Sequence, residues 1–248
     1  MATNPPELLI NKDSGTWWIT LNRPEKMNAL SASLVEALID TVTLANQEQA
    51  KLLVFQGAGK TLSAGFDLSD LDTQSEGDLV LRFIRIELLL QAIADTQAHT
   101  LCLAHGRVFG AAADLFAACR QRIATHDTSF RMPGLKFGLV LGSRRFADIV
   151  GTEQARTLLE ETRPFTAQEA LDMGFVHQLA ANADWREITK TALLRAEHLD
   201  RSARAGLHQA LRSTHSDQDL AQLVRSAARP GLKTRLHEYL QAGKKPEK

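Results

Sequence analysis

The stretch HGRVFGAAADL at residues 105–115 follows a short apolar run and reads as a glycine turn leading into a helix. The first turn of a helix leaves backbone N–H groups without intrahelical partners and carries the positive end of the helix dipole. Such amides suit an oxygen atom that becomes negative during a reaction. Asp114 lies one turn further along, where a carboxyl group could transfer a proton. The stretch therefore indicates chemistry through an enolate; the alternative is an acidic residue that complements the dipole of an ordinary helix.

Short apolar strands and amphipathic helices alternate on both sides of this stretch. Strands are predicted at residues 16–21, 51–55 and 100–104, and helices from about residue 33, at residues 78–94 and at residues 110–119. The sequence SLVE at residues 33–36 has the pattern of a capping box for the first of these helices. Repeated β-α units predict an α/β fold with a mostly parallel sheet, in which loops at the carboxyl ends of the strands carry the chemistry.

Beyond residue 182 the sequence becomes almost wholly helical and more charged. Helices are predicted at residues 185–199 and 217–227, and Pro230 is placed to open a last helix at its first position. We therefore divide the chain into a core at residues 1–182 and a helical region at residues 183–248. From the residues alone, this region could simply be a helical cap on the core.

Composition excludes several classes of protein. The chain has 248 residues, of which 44% are hydrophobic, and its 29 basic and 29 acidic side chains leave no net charge to attract nucleic acid or an anionic membrane. The start of the chain lacks the features of a signal peptide, and no apolar run approaches the ~18 residues of a membrane span. The two cysteines fit reduced, buried thiols, and the eight histidines show no metal-ligand spacing. We expect a cytoplasmic protein without a metal site.

The order of several segments resembles the enoyl-CoA hydratase/isomerase family, the crotonase superfamily. The segments that carry the resemblance are LNRPEKMNAL at residues 21–30, SAGFDL at 63–68, GAAADL at 110–115, FRMP at 130–133 with GL at 138–139, and RPFTAQEALDMGFV at 163–176. They occur in the family's order and spacing from about residue 17 to residue 179. The resemblance implies a crotonase-like fold of repeated β-β-α units around a mostly parallel sheet. It also implies a helical trimerisation region at residues 183–248, and so a homotrimer or a dimer of trimers.

The matched motifs imply a substrate and a site. The substrate would be an acyl-CoA, with CoA as part of the substrate and no separate cofactor. The thioester carbonyl would receive the backbone N–H groups of Phe66 and Ala111, which together form an oxyanion hole, and Asp114 would be the catalytic carboxyl group. The family usually has glycine at the Ala111 position, but alanine still offers its N–H group.

By the same resemblance, backbone groups near Ala29 and Ala64 would hold the CoA adenine, and Lys26 would approach the phosphates. Lys26 could equally be an ordinary surface lysine in a turn. Asp67 more often closes its own loop through side-chain to backbone hydrogen bonds, so we assign it a structural role.

The chain departs from the family pattern at its second carboxylate. Family hydratases use two glutamates on either side of a water molecule, whereas this chain has Asp114 at the first position and Gly134 at the second. A single carboxyl group can still move a proton between two carbons, which predicts a lyase or isomerase. The alternatives are a crotonase-fold decarboxylase or thioesterase, and a CoA-thioester-binding protein with little turnover.

Two features of the acyl site stay open at the level of sequence. Arg144 and Arg145 could meet a carboxylate on the acyl group, or they could pair at the surface of their helix. The walls of the acyl pocket would come from residues 69–90 and from the C-terminal helices, so the motifs do not identify the acyl group.

Overall fold

A computed structural model describes residues 5–211 and 215–243, and for Arg201 the backbone alone. The strands are β1 (Leu8–Asp13), β2 (Thr16–Leu21), β3 (Leu52–Gly57), β4 (His99–Ala104), β5 (Arg107–Phe109), β6 (Gln121–Ala124), β7 (Ser129–Arg131), β8 (Phe165–Thr166) and β9 (Gln178–Leu179). The helices are α1 (Ala32–Gln47), α2 (Glu76–Asp95), α3 (Ala111–Ala118), α4 (Ser143–Val150), α5 (Thr152–Glu161), α6 (Ala167–Asp172), α7 (Trp185–His198), α8 (Arg201–Leu211), α9 (Ser216–Ala227) and α10 (Leu232–Ala242). Short 3-10 helices lie at Pro24–Lys26, Gly134–Phe137 and Asn182–Asp184.

The main sheet has the strand order β1-β2-β3-β4-β6-β9, and a smaller sheet has the order β5-β7-β8. In the main sheet β1 is antiparallel to β2, and every other neighbouring pair is parallel. The prediction of a mostly parallel α/β sheet is therefore confirmed. Because the central strands β3 and β4 are buried on both faces, they read as continuous apolar runs in the sequence.

A cluster of buried aromatic rings joins helices α3 and α4 to the small sheet. Phenylalanines from α3, β7, α4, β8 and the segment before β9 pack with ring centroids 5.1–6.1 Å apart; they are Phe116, Phe130, Phe146, Phe165 and Phe175. Each of these side chains is at most 2% exposed. Burial of aromatic area on this scale holds α3 and α4 in a fixed relation to the small sheet.

The C-terminal helices pack on the core of their own chain. Helix α7 covers the outer face of the main sheet, where Trp185 and Ala192 join Leu52, Leu101 and Ile123 in one buried cluster. Helices α9 and α10 pack against α2 and the 3-10 helix Gly134–Phe137. The proposed division at residue 182 falls at the start of the 3-10 helix Asn182–Asp184, and part of the predicted helical region, residues 212–214 and 244–248, lies outside the described residues.

Two predicted helix starts are wrong. Helix α1 begins at Ala32 with Ser31 as its N-cap, and the Ser31 hydroxyl accepts from Leu34 N, so the capping box predicted at residues 33–36 does not form. The reason is that Leu30 is fixed in an extended conformation by hydrogen bonds with the loop at residues 65–67, so the helix starts directly after it. Ser33 instead donates to Glu7.

The last helix begins at Leu232, with Gly231 at φ +81° as its N-cap, so Pro230 lies before the helix and does not open it. Helix α8 was not predicted from the sequence. The other predicted elements occur within a few residues of their observed ends.

Candidate active site

The loop that follows β3 reaches the start of α3 through Gly65. Gly65 has φ +85°, and a Cβ atom placed on it would lie 2.2 Å from Phe109 O and 3.2 Å from Ala111 N. Any side chain would push the two backbone segments apart, so glycine is required by both conformation and space. The loop is held on its other side because Leu30 N donates to Gly65 O at 2.7 Å and Asp67 N donates to Leu30 O at 3.2 Å.

This pairing leaves the Phe66 amide free. In an extended segment successive amides point to opposite sides, and the groups of Gly65 and Asp67 that face Leu30 are already paired. Phe66 N–H therefore points away from Leu30, and it donates to no group among the described residues. The Phe66 side chain is fixed by stacking on Phe83, with centroids 4.2 Å apart, and by the Arg82 guanidinium, 4.1 Å from its ring centre.

A second free amide comes from the start of α3. Gly110 is the N-cap, with φ 53° and ψ −126°, and its own N–H donates to Arg131 O at 2.8 Å. Ala113 N and Asp114 N close the first turn on Gly110 O. Ala111 N–H makes no hydrogen bond with any part of the chain that the structure describes, as expected for the first turn of a helix.

Both free amides border one cavity of about 140 Å³. Phe66, Ala111, Asp114 and Gly134, four of the residues singled out in the sequence, all line this cavity. Ala64, which was matched to the CoA-binding motif, also lines it. Folding thus brings the loop of residues 63–68, the start of α3 and the segment after β7 to one place at the carboxyl ends of the strands.

Among the described residues, the buried carboxyl group of Asp114 has no ion-pair partner. Its side chain is 3% exposed, and Oδ1 has no hydrogen-bond partner in that part of the chain. Burial raises the pKa of Asp114 well above its usual range; Arg145 lowers it and Glu87 raises it further, and both of these charges act less strongly than burial. Burial thus favours the protonated carboxylic acid, which is the form that can donate a proton.

Gly142, the N-cap of α4, makes room for the Asp114 carboxyl group. A Cβ atom on Gly142 would lie 2.0 Å from Asp114 Oδ1 and 2.7 Å from its Cγ. Gly142 also has φ +64°, which favours glycine for a second reason. The motif-based analysis missed this residue because the contact joins two positions 28 residues apart.

The two arginines of α4 pair within the protein and do not line the cavity. Arg145 forms an ion pair of 3.3 Å with Glu87, which is 1% exposed. Gln91 also donates to Glu87, and burial raises the pKa of Glu87 although the Arg145 charge opposes the rise. Arg144 forms ion pairs with Asp148 and Asp219. Of the two alternatives, pairing within the protein is the one found, and Arg145 pairs with a buried residue rather than at the surface.

Asp67 has the structural role that its sequence context predicts. Its Oδ1 accepts from Ser69 N at 2.9 Å, and its Oδ2 pairs with Arg23 at 2.7 Å. Arg23 also donates to Ala29 O at 2.6 Å and so joins the loop of residues 22–30 to the loop of residues 63–68. Sequence reasoning quoted Arg23 within a motif but gave it no role.

The residues matched to CoA binding lie on these two joined loops. Lys26 ends the 3-10 helix Pro24–Lys26 and is exposed. Ala29 is 8% exposed, and its carbonyl oxygen is taken by Arg23. Ala64 N donates to Met27 O at 2.9 Å, and Ala64 also lines the cavity.

Gly134 begins the 3-10 helix that forms one wall of the cavity. Its φ lies outside the left-handed region, so its conformation is open to other residues. A Cβ atom there would lie 2.9 Å from Leu139 O, which is a tight contact with backbone. A larger side chain at this position therefore requires a small shift of the loop.

Within the described residues, no group of three or more His, Cys, Asp or Glu side chains could hold a metal ion. No helix in that part of the chain is long and apolar enough to cross a membrane.

Comparison with known proteins identifies the family of this chain. The family model for enoyl-CoA hydratase/isomerase matches residues 11–245. A crystal structure of a Bordetella parapertussis protein provisionally named enoyl-CoA hydratase/isomerase is 57% identical, with a TM-score of 0.93 over 94% of this chain and 98% of that one. The probable enoyl-CoA hydratase echA6 of Mycobacterium bovis is 32% identical over 190 residues, which are 74% of this chain and 76% of the relative. Ethylmalonyl-CoA decarboxylase of Bos taurus is 29% identical over 199 residues, and this chain spans 62% of its length.

The fold is the crotonase fold, an α/β fold with a C-terminal helical region. The chain belongs to the enoyl-CoA hydratase/isomerase family, whose members act on CoA thioesters.

The protonation of Asp114 predicts a pH-dependent stability. Because its pKa is raised on folding, the folded protein keeps a proton that the unfolded chain loses above about pH 4. The free energy of unfolding should therefore fall by about 1.4 kcal/mol per pH unit above that value, until Asp114 ionises in the folded state. Asp114→Asn removes this contribution. Urea unfolding between pH 5 and pH 8 should show wild type losing stability relative to the variant as pH rises; parallel curves would mean that Asp114 is ionised in the folded protein.

Proposed function

We propose that this protein is an acyl-CoA-acting lyase or isomerase that stabilises a thioester enolate with two backbone amides and moves protons with one carboxyl group. The observation that carries the proposal is the meeting of three unpartnered groups in one cavity. These are the N–H groups of Phe66 and Ala111 and the Oδ1 atom of Asp114. Unpartnered polar groups are rare in protein interiors, and they cluster where a ligand supplies the missing partner.

In the proposed complex, the thioester carbonyl oxygen accepts hydrogen bonds from Phe66 N and Ala111 N. When a proton leaves the α-carbon, negative charge develops on this oxygen, and the charge is lost again when the enolate is protonated; in the proposed complex the two amides are already directed at this oxygen. Each such donor contributes about 3 kcal/mol or more to the transition state of comparable reactions. The Ala111 amide adds the positive end of the α3 dipole.

Asp114 supplies the proton in this proposal. It is the one carboxyl group among the described residues that line the cavity. In its ionised form it can take a proton from one carbon, which produces the enolate and the neutral acid. The neutral acid then returns this proton to a second carbon, which completes an isomerisation and restores the ionised form. Gly134 offers no second acid or base, so addition of water across a double bond lacks the second carboxylate of the acid–base pair.

Decarboxylation is a second candidate, and the burial of Asp114 favours it. Loss of carbon dioxide from an acyl-CoA with an α-carboxylate produces the enolate without a base. The enolate then needs a proton donor alone, and burial raises the pKa of Asp114 and so favours its proton-donating form. The similarity to ethylmalonyl-CoA decarboxylase supports including such substrates in the tests.

For the CoA portion, we propose that backbone groups near Ala29 and Ala64 hold the adenine and that Lys26 approaches the phosphates. The exposure of Lys26 and the place of Ala64 in the lining of the cavity support this arrangement. CoA enters as part of the substrate, and no step of the proposed reaction uses a separate cofactor.

Hydrogen exchange at the α-carbon tests the proposal whatever the final product. Wild type should exchange the α-protons of a saturated acyl-CoA in D₂O, as followed by NMR. Asp114→Asn should slow this exchange by roughly 10²-fold or more while acyl-CoA affinity stays nearly unchanged. Asp148→Asn, which alters an exposed carboxylate of α4, serves as the control and should exchange like wild type. Equal exchange in Asp114→Asn and wild type would remove Asp114 from the mechanism, and tight binding without any exchange would favour a binding protein.

Gly134 provides a test of the missing second carboxylate. Wild type should hydrate crotonyl-CoA very slowly, and Gly134→Glu should raise the rate, more so together with Asp114→Glu. Gly134→Gln is the control, because it introduces the same crowding against Leu139 O without a carboxylate. Thermal melting should be recorded for every variant. A folded double variant with no more hydratase activity than the Gln control would show that Gly134 does not occupy the second catalytic position.

We also propose that the protein assembles as a homotrimer or a dimer of trimers. Helices α7 and α8 and the segment between them expose four leucines by 43–77%, namely Leu194, Leu199, Leu207 and Leu211, and burial of such side chains favours association. Sedimentation velocity should show that the wild-type protein is a trimer or hexamer. Leu194→Asp should shift the distribution of oligomers towards smaller species. Leu44→Asp on α1 is the control at an equally apolar exposed position. A wild-type protein that sediments as a monomer would contradict the proposal.

A further inference from the structure

The cavity beside the free amides has an almost entirely apolar lining. The polar side chains at its surface are Asp114, Ser143 and Tyr239, and no Lys, Arg or His of the described residues lines it. The nearby arginines of α4 are turned towards Glu87 and Asp219. A charged group at the end of a substrate would therefore be buried without a counter-ion.

The cavity lies between two hydrophobic clusters of the fold. Phe66 and Leu141 pack against both clusters, and both line the cavity. Ala111 belongs to the first cluster, on the side of the free amides. Leu236 belongs to the second cluster and Tyr239 packs against it, so α10 faces the amides from the opposite side.

Helix α10 is firmly attached at this position. Leu236 is 1% exposed, and the Tyr239 ring packs on Phe137 with centroids 5.2 Å apart. Arg235 donates to Phe137 O at 2.8 Å, and Lys233 donates to Asp72 O at 2.7 Å. The far wall of the cavity is thus a fixed surface rather than a loose end of the chain.

Taking the thioester position from the proposed function, we propose that this cavity binds a short aliphatic acyl chain that carries no charge beyond its α-carbon, and that Leu236 and Tyr239 set the greatest length it accepts. The chain extends from the amides of Phe66 and Ala111 through the apolar walls and ends against α10. The cavity volume of about 140 Å³ limits the chain to a few carbons beyond the thioester. A terminal carboxylate is rejected because its desolvation has no compensating partner.

Calorimetric titration of saturated acyl-CoAs from four to twelve carbons tests the length limit. Affinity should rise about fourfold with each methylene, the factor that corresponds to burial of one CH₂ group, until the chain meets α10. Beyond that length the affinity should level off or fall, and we call the chain length at which this happens the break. Leu236→Ala should move this break by about two carbons and tighten binding of the first excluded chain about tenfold.

Leu232→Ala is the matched control for Leu236→Ala. Leu232 lies one turn earlier on α10 and is buried in the same cluster, but it does not line the cavity. Leu232→Ala should lower the free energy of unfolding about as much as Leu236→Ala does, and it should leave the break unchanged. Tyr239→Ala, at a half-buried position, should move the break in the same direction, so the proposal stays testable if Leu236→Ala fails to fold.

A second comparison tests charge at constant length. Hexanoyl-CoA should bind wild type roughly 10²-fold more tightly than adipoyl-CoA, which carries a carboxylate at the end of the same six-carbon chain. Equal affinity for the two would overturn the proposal, as would a break at the same length in wild type, Leu236→Ala and Tyr239→Ala.

These measurements separate this inference from the function on which it rests. A length break that moves as expected, in a protein that shows no α-proton exchange, supports the acyl site and contradicts the proposed chemistry. Exchange of α-protons in a protein whose length break does not move supports the proposed chemistry and contradicts the assignment of the acyl site. No binding of any acyl-CoA in the series would overturn both.

Discussion

The contact between Gly65 and the backbone of residues 109–111 is the constraint on which the site depends. It joins the loop after β3 to the turn between β5 and α3, and the parallel bridge between Ser63 and Val108 extends the same contact. A Cβ atom 2.2 Å from Phe109 O is impossible, so the two amides of Phe66 and Ala111 can approach each other only through a glycine. Neighbouring parallel strands end at the same edge of the sheet, which brings the two loops within reach.

The environment of Asp114 is the second determinant of the chemistry. An ionised carboxylate buried without a partner costs several kcal/mol, so burial raises the pKa of this group and favours its protonated form. The neighbouring Arg145 could have stabilised the ionised form, but its ion pair with Glu87 offsets much of its charge. Gly142 gives the carboxyl group space without supplying a hydrogen bond to Oδ1. The result is an acid that can protonate an enolate, next to amides that can hold the enolate oxygen.

Local patterns in the sequence predicted much of the fold and singled out four residues that line one cavity. Some elements form from residues that are close together in the sequence, and these were predicted close to their observed positions. They are the strands β2, β3 and β4 and the glycine turn before α3. The N-cap of α1 was misplaced because Ser31 and Ser33 have similar local signals, and the choice between them is made by the pairing of Leu30 with a distant loop. The contacts of Gly142, Arg145 and Leu236 join residues far apart in the chain, so the motifs carried no signal for them. The raised pKa of Asp114 likewise depends on burial by several elements together.

A crystal structure with bound crotonyl-CoA or hexanoyl-CoA tests the central claim most directly. We predict that the thioester oxygen lies within hydrogen-bond distance of both Phe66 N and Ala111 N. The Asp114 carboxyl group should be the closest acidic group to the α-carbon, and the acyl chain should point towards α10. A thioester oxygen bound by other groups, or an acyl chain outside the cavity with Asp114 still enclosed and out of contact, would contradict this account.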